Sequence, residues 1–320
     1  KIGVEAGPPH VDLARAYAWK ETLKKPQPKW VDDLETQGFS TYTGQATFVD
    51  ANTVGVGEDE LEADRILIAT GSRTAVPPID GIEEVGWIDH ISALELQEVP
   101  PSLLVVGCGA VGLEFGQIFS RLGSKVTLVD AADQIAPASD PEACATLAAA
   151  LGEEGIDIAV SVFVQSARRD GDEIVATIAP RDGSGSYEVR TARIMLASGR
   201  VPNIEELGLE AAGVETSKAG IVVDERLRTS TPGIWAAGDV NAVAQLTPIA
   251  QYQARVAVAD MFGEGGPPAD YSVLPTSIFT DPELGGVGLT EERAKEEGYD
   301  VEVVRNEYVR RFSYIDAKHG

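Results

Sequence analysis

The chain has 320 residues, with 51 Asp and Glu against 26 Lys and Arg and a formal net charge of −25. Nucleic-acid phosphates require clustered Lys and Arg, and anionic lipid requires polybasic segments, so this balance excludes both partners. Hydrophobic residues at 43% suffice for packed interiors in about two domains, and no apolar run approaches the roughly 18–20 residues of a spanning helix, so a cytoplasmic, membrane-free protein is expected.

From the N-terminal end, residues 13–23 read as a helix, residues 41–49 and 53–56 as strand-like runs, and residues 65–69 as a buried strand. Residues 102–106 form a short apolar strand that runs at once into Gly107-Cys-Gly-Ala-Val-Gly112. Apolar residues at helical spacing follow (Leu113, Phe115, Ile118, Phe119, Leu122), closed by Gly123, and residues 125–129 make a second strand. Asp140 as N-cap and Pro141 at the first helical position announce a helix through Cys144 and Leu147 to Leu151 that stops at Gly155. Asp170-Gly-Asp172 and Asp182-Gly-Ser-Gly185 predict hairpin turns. Buried strands are expected at 193–197 and 233–237, a helix at 248–262, a linker at 263–268, a strand at 276–279, a turn at Asp281-Pro282 and a helix at 291–297. The expected fold class is α/β.

Two constellations carry chemistry. Gly107, Gly109 and Gly112 lie between a strand and a helix, and Asp130 closes the next strand about 20 residues on. This is the dinucleotide fingerprint: a tight turn, close backbone approach to a pyrophosphate on the helix N-terminus, close helix-to-sheet packing, and a carboxylate for ribose hydroxyls. Ala131-Ala-Asp133 follows Asp130 without Arg or Lys, which favours NADH over NADPH. The strand at 233–237 delivers Gly238-Asp239 just before a helix, an arrangement suited to a cofactor with sugar hydroxyls and negative charge. Its alternative is a structural turn. Ile66-Leu-Ile-Ala-Thr-Gly-Ser72 reads equally as a core strand ending in a turn.

Cysteine and histidine mainly exclude. Cys108 and Cys144 are too far apart in sequence for a CxxC pair and too few for a zinc cage, and His10, His90 and His319 are isolated from one another, so no metal site is expected. The acidity fits either an ordinary acidic protein or one adapted to high salt.

Taken in order, Ala69-Thr70-Gly71, the glycine fingerprint with Glu114 in its helix, Gly199-Arg200-Val-Pro-Asn203, Gly238-Asp239, Leu246-Thr247-Pro248 and the stretch from Leu274 to Glu283 with Val287-Gly288 resemble the pyridine nucleotide-disulfide oxidoreductases. That family includes mercuric reductase, dihydrolipoyl dehydrogenase and glutathione reductase. The resemblance implies two Rossmann-like FAD- and NAD(P)-binding domains with a truncated α+β dimerisation domain: residues 1–98 and 219–268 for FAD, 99–218 for NAD(P), and 269–320 for the start of the dimerisation domain. It implies FAD and NADH or NADPH as cofactors, a small-molecule or metal-ion substrate and a homodimer. FAD would contact Gly44, Ala69, Thr70, Gly71, Gly238, Asp239, Gln245, Leu246, Thr247 and Pro248. NAD(P) would contact Gly107, Gly109, Ala110, Val111, Gly112 and Asp130, with Glu114 and Gly199 flanking the nicotinamide. Where the family often has a Tyr lid over the flavin, this chain has Ala110.

The family's own first FAD glycine motif, its CxxxxC redox disulfide and its C-terminal His-Glu pair do not occur in these residues, so no catalytic residue is expected within them and the chain reads as a partial sequence. The segments after Gly238-Asp239 look more like the mercuric and glutathione reductases than the dihydrolipoyl dehydrogenases, which tend to carry Leu-Ala-His where this chain has Leu246-Thr-Pro248. A mercuric reductase-like enzyme is therefore expected, with dihydrolipoyl dehydrogenase as the alternative. A flavin- and NAD-binding redox sensor without disulfide turnover is the alternative of another class.

Overall fold

The computed structural model describes residues 11–23, 27–263 and 265–306. His10, His319 and the C-terminal residues from 307 lie outside them, as does Glu264 in the expected linker.

The central unit grows from the period-2 burial of Ser102–Val106. Leu103 and Val105 join one buried cluster while Leu104 and Val106 join another, so both faces of this strand are covered. It sits inside a four-stranded parallel sheet in the order Arg193–Leu196, Ser102–Val106, Lys125–Val129, Asp157–Ala159. Helices Ala110–Leu122 and Pro141–Glu153 cover one face through Leu113, Phe119, Cys144, Leu147 and Leu151. Each such aliphatic side chain, fully buried, contributes about 1.5–3 kcal/mol. The second helix starts as its sequence indicates: the Asp140 carboxylate accepts the Glu142 N–H and Pro141 occupies the first turn. The other face is covered by an antiparallel meander of Val162–Asp170, Glu173–Pro180 and Tyr187–Thr191, turning at the two predicted Asp-Gly sites.

This unit is inserted between two short strands, Ile66–Ile68 and Ile234–Ala236, which pair in parallel as a two-stranded sheet. Around them lies a separate core of Phe48, Leu207, Leu209, Val214, Ile221 and Val240, flanked by the meander Ala46–Phe48, Thr53–Val56 and Asp59–Glu62. The expected strand at 41–49 shrinks to three residues, with Gly44 at φ +159° before it. The chain passes between the two cores twice, and the crossings pair with each other: Ser72–Thr74 runs antiparallel to Arg200–Pro202. Arg73 braces this junction by a two-pronged pair with Glu205 at 2.7 and 2.8 Å, and the guanidinium draws the Glu205 carboxyl down to about 2.

The last described segment is the hairpin Pro275–Ile278 with Leu284–Val287, turning through Asp281-Pro282, followed by the helix Glu291–Glu296. It docks on the helix Ala110–Leu122. The buried Gln117 amide imitates a backbone partner, accepting the Asp281 N–H and donating to the Asp281 carbonyl, both at 2.8 Å. No helix among the described residues is long and apolar enough to cross a membrane.

Candidate functional site: a cleft beside the glycine turn

The glycine turn is shaped by close packing on both sides. Gly107 has φ +111°, and a Cβ there would stand 2.3 Å from the Ala197 carbonyl oxygen. A Cβ at Gly112 would stand 1.9 Å from the Gly107 carbonyl oxygen, so the helix can lie against the turn only without a side chain. Gly109 differs, because a Cβ there meets nothing within 4 Å and would project into open space. Gly109 is also the N-cap of Ala110–Leu122 and supplies no side-chain cap, leaving first-turn N–H groups for an anion.

That turn forms one wall of a cleft of about 1030 Å³. Gly107, Gly109, Ala110, Val111, Asp130 and Gly199 line it as expected, together with His90, Thr74 and Arg200 from the domain junction. Gly112 is absent from the wall because it is packed beneath the turn. Glu114, expected beside the nicotinamide, is also off the wall: its carboxylate accepts the Phe279 N–H at 2.9 Å and ties the helix to the C-terminal hairpin. Asp130 reaches the cleft, but its carboxylate is already engaged by backbone. One oxygen accepts the Cys108 N–H and the other the Ala132 N–H at 2.7 Å.

Cys108 therefore sits inside the glycine turn, fully buried, beside an anion. Burial first, and the Asp130 charge second, push its thiol up to about 12; burial and then Asp140 raise Cys144 as well. Both thiols are free and buried, protonated at neutral pH, and neither is poised as a nucleophile. Neither should react with a disulfide reagent at pH 8 in the native protein, and both should react in denaturant. Because the folded thiol holds its proton more tightly than the unfolded one at about 8.5, the stabilisation is complete below that value and is lost as pH rises through about 12. The fall in denaturation midpoint between pH 8 and pH 11 should accordingly be smaller in Cys108→Ser than in the wild type; an equal fall would show that the Cys108 thiol does not contribute to it.

Three of the sequence motifs converge beyond Arg200, off the cleft wall. Thr70 and Asn203 exchange hydrogen bonds, hydroxyl to carbonyl at 2.7 Å and amide to carbonyl at 3.0 Å, which pins Ala69-Thr70-Gly71 to the GRVPN segment. Ser72 donates to the Asp239 carboxylate at 2.6 Å, and Arg200 donates to the Ser72 hydroxyl at 2.7 Å while lying 3.5 Å from Asp239. Gly238 has φ +83° and is buried, so its peptide can turn there at little cost. Its N–H is held by Gln253 Oε1 at 2.7 Å, an atom that also receives the Asn241 amide at 3.0 Å, while Gln253 Nε2 donates to the Tyr271 hydroxyl at 3.0 Å.

Gln253 is fully buried and, like Thr74 and His90 on the cleft wall, is a site residue that the sequence motifs missed. A Gln on the inward face of the helix Thr247–Met261, one turn and a half after Thr247-Pro248, was its only signal.

That helix begins where expected, with Leu246 as N-cap and no side-chain cap bond. Gln245 Nε2, just before it, is buried and has no hydrogen-bond partner among the described residues. A buried orphan donor, an uncapped helix N-terminus and the Gly238-Asp239 turn together form a polar, anion-accepting edge that fits a flavin nucleotide. Gly44 is not on the cleft wall and lies beside Val56.

A doubly covered parallel sheet with a glycine phosphate turn, set against a second core that presents an acidic turn and an open helix end, defines an α/β FAD- and NAD-binding oxidoreductase fold with a partial dimerisation domain. The chain belongs to the pyridine nucleotide-disulphide oxidoreductase family: that family's model matches residues 5–254, and the model of its dimerisation domain matches residues 274–316. The mercuric reductase of Lysinibacillus sphaericus is 36% identical over 94% of this chain and 55% of its own length. A dihydrolipoyl dehydrogenase of Thermus scotoductus is 36% identical over 92% of this chain and 64% of its own length. The solved structure of the HOCl-induced flavoprotein disulfide reductase RclA from Escherichia coli superposes with a TM-score of 0.82 at 31% identity, covering 96% of this chain and 71% of that one. The chain thus spans roughly half to two thirds of the length of the curated relatives it matches.

Proposed function

We propose that the chain is the nucleotide-handling part of an FAD-dependent NAD(P)H oxidoreductase that passes electrons from nicotinamide through flavin to a redox disulfide, and from there to Hg(II), as a homodimer. The observation that carries this reading is the cleft itself, which joins the glycine turn of one core to the Gly199-Arg200 crossing of the junction, from which Arg200 reaches the Ser72–Asp239 pair of the other core. Gly107, Gly109 and the first turn of Ala110–Leu122 bind the dinucleotide pyrophosphate, and Val111 and Gly199 bound the reduced nicotinamide. Asp239, held by Ser72 and Arg200, accepts hydroxyl hydrogen bonds from the flavin side chain, and the N-terminus of Thr247–Met261 faces the anionic edge of the ring. Flavin, when bound, supplies the hydride-accepting and electron-relaying chemistry. Cys108 and Cys144, both free and buried, are not assigned as the redox pair.

Hg(II) is preferred to lipoamide as final acceptor because Leu246-Thr-Pro248 stands where dihydrolipoyl dehydrogenases tend to carry Leu-Ala-His. The matching 36% identity of the Thermus relative makes dihydrolipoyl dehydrogenase the second reading. The test is NADH and NADPH oxidation by the flavin-loaded, disulfide-bearing protein with Hg(II), lipoamide and oxidised glutathione in parallel. Oxidation stimulated by Hg(II) is expected; turnover with lipoamide alone would overturn the assignment.

A further inference from the structure

The sequence around Asp130 carries no cation, yet the fold brings one. Arg181 lies 51 residues further on, in the turn after the strand Glu173–Pro180. Its N–H donates to the Ser161 carbonyl at 2.9 Å, and Ser161, at φ +57°, in turn donates to the Ala132 carbonyl at 2.6 Å. The loop after Asp130 is thereby stitched to the base of the Arg181 turn. The guanidinium then reaches back over that loop and donates to the Ala131 carbonyl at 3.2 Å, and Ala131 is part of the cleft wall.

Two further observations bear on its role. Among the described residues Arg181, like Arg169, Arg193, Arg255 and Arg293, forms no ion pair, and its guanidinium is held only by the Ala131 carbonyl. Two nearby acids are directed elsewhere, since both oxygens of Asp130 accept backbone N–H groups and the Asp182 carboxylate accepts the Ser184 N–H at 2.9 Å, while Asp133 is exposed. In a dinucleotide fold the loop that follows this acid is where the adenosine ribose lies, and the 2′ position distinguishes NADH from NADPH. A guanidinium presents a planar fork suited to a phosphate.

We infer that Arg181 is the 2′-phosphate contact of the cleft, so that the protein accepts NADPH as well as NADH. Asp130 then serves to shape the turn through Cys108 and Ala132 and does not exclude the phosphorylated ribose. This rests on the proposed reading of the cleft as a nicotinamide dinucleotide site.

The test uses probes of the adenosine end alone, titrated calorimetrically into the 320-residue chain: adenosine 5′-monophosphate and adenosine 2′,5′-bisphosphate. The wild type is expected to bind the bisphosphate at least as tightly as the monophosphate. Arg181→Gln should weaken the bisphosphate by about tenfold or more and leave the monophosphate within about twofold, and Arg181→Lys should restore part of the loss. Unchanged bisphosphate affinity in Arg181→Gln, with monophosphate binding intact, would overturn the role of Arg181 alone. Absence of binding by either probe in the wild type would overturn the dinucleotide site as well. Arg181 is exposed, so these variants leave the core untouched.

Discussion

Gly109→Ala is expected to leave folding stability within about 0.5 kcal/mol of wild type and to weaken NADH binding on the order of 100-fold, about 2.7 kcal/mol, whereas Gly112→Ala should destabilise the nucleotide-binding core by about 3 kcal/mol or more. The two glycines belong to one motif but serve different ends. A methyl group at Gly109 meets no protein atom within 4 Å and occupies the space into which the turn opens. Its φ of −77° is ordinary for alanine, so the change acts on the ligand and not on the fold. A methyl group at Gly112 must displace the Gly107 carbonyl from 1.9 Å, and that carbonyl belongs to a turn held by the Gly107 N–H bond to Val129 at 2.8 Å. Overpacking against backbone lies at the upper end of the 1–3 kcal/mol range or beyond it. Gly116→Ala is the control, since its methyl would press on a Leu128 side-chain terminus at 2.8 Å, which can shift, and alanine gains about 1 kcal/mol in helix propensity. Chemical denaturation and equilibrium binding on the three variants separate the cases. Equal stability losses at positions 109 and 112 would refute the division.

Gln253→Leu is the second large effect. The side chains are close in volume, so packing is preserved, but the Gly238 N–H loses its acceptor, the Asn241 amide loses a second one, and the Tyr271 hydroxyl loses its donor. Each buried polar group left unpaired costs about 1–3 kcal/mol, so a total loss of about 3 kcal/mol is expected. The consequence for the proposed site follows from the position of Gly238, which at φ +83° aims Asp239 toward Ser72. With the Gly238 peptide released, Asp239 is no longer fixed, and flavin retention after gel filtration should fall together with the unfolding midpoint. Retention of flavin at the wild-type level in a destabilised Gln253→Leu protein would show that Gln253 supports the fold and not the cofactor edge.

Much of the central unit is legible in the sequence because its signals are local. The strand, glycine turn, helix and strand from Ser102 to Val129 follow one another without interruption, and Asp140-Pro141 marks the next helix through capping chemistry alone. What is not legible is what depends on residues far apart. Ser72–Thr74 and Arg200–Pro202 are three residues each and acquire their strand character from each other across more than a hundred positions. The short helices Ile82–Val85 and His90–Ala93 are too brief for any helical periodicity, although the Asp89 and Ser92 capping box was available as a signal. Glu114 has the right place in the motif, yet the nearby Phe279 N–H decides where its carboxylate goes. Arg181 could not be associated with Asp130 from spacing, because the meander that brings it back has no fixed length.

The sheet of Ile66–Ile68 with Ile234–Ala236 shows the same dependence on distance. Its two strands are separated by the entire nucleotide-binding insertion, and Ile66, Leu67 and Ile68 align with Ile234, Trp235 and Ala236 residue for residue. Each strand alone is three residues of apolar sequence ending in a Gly-containing turn. Their pairing is what places Thr70-Gly71 and Gly238-Asp239 at one end of a shared sheet, the end at which nucleotides bind in open parallel sheets.

The most direct test is anaerobic mixing of the flavin-loaded protein with NADH while the flavin absorbance is followed. Rapid bleaching is expected in the wild type, with the rate at low NADH reduced on the order of 100-fold in Gly109→Ala, in line with the weakened binding. Bleaching of Gly109→Ala at the wild-type rate, or a wild-type protein whose bound flavin NADH does not reduce, would contradict the assignment of the cleft.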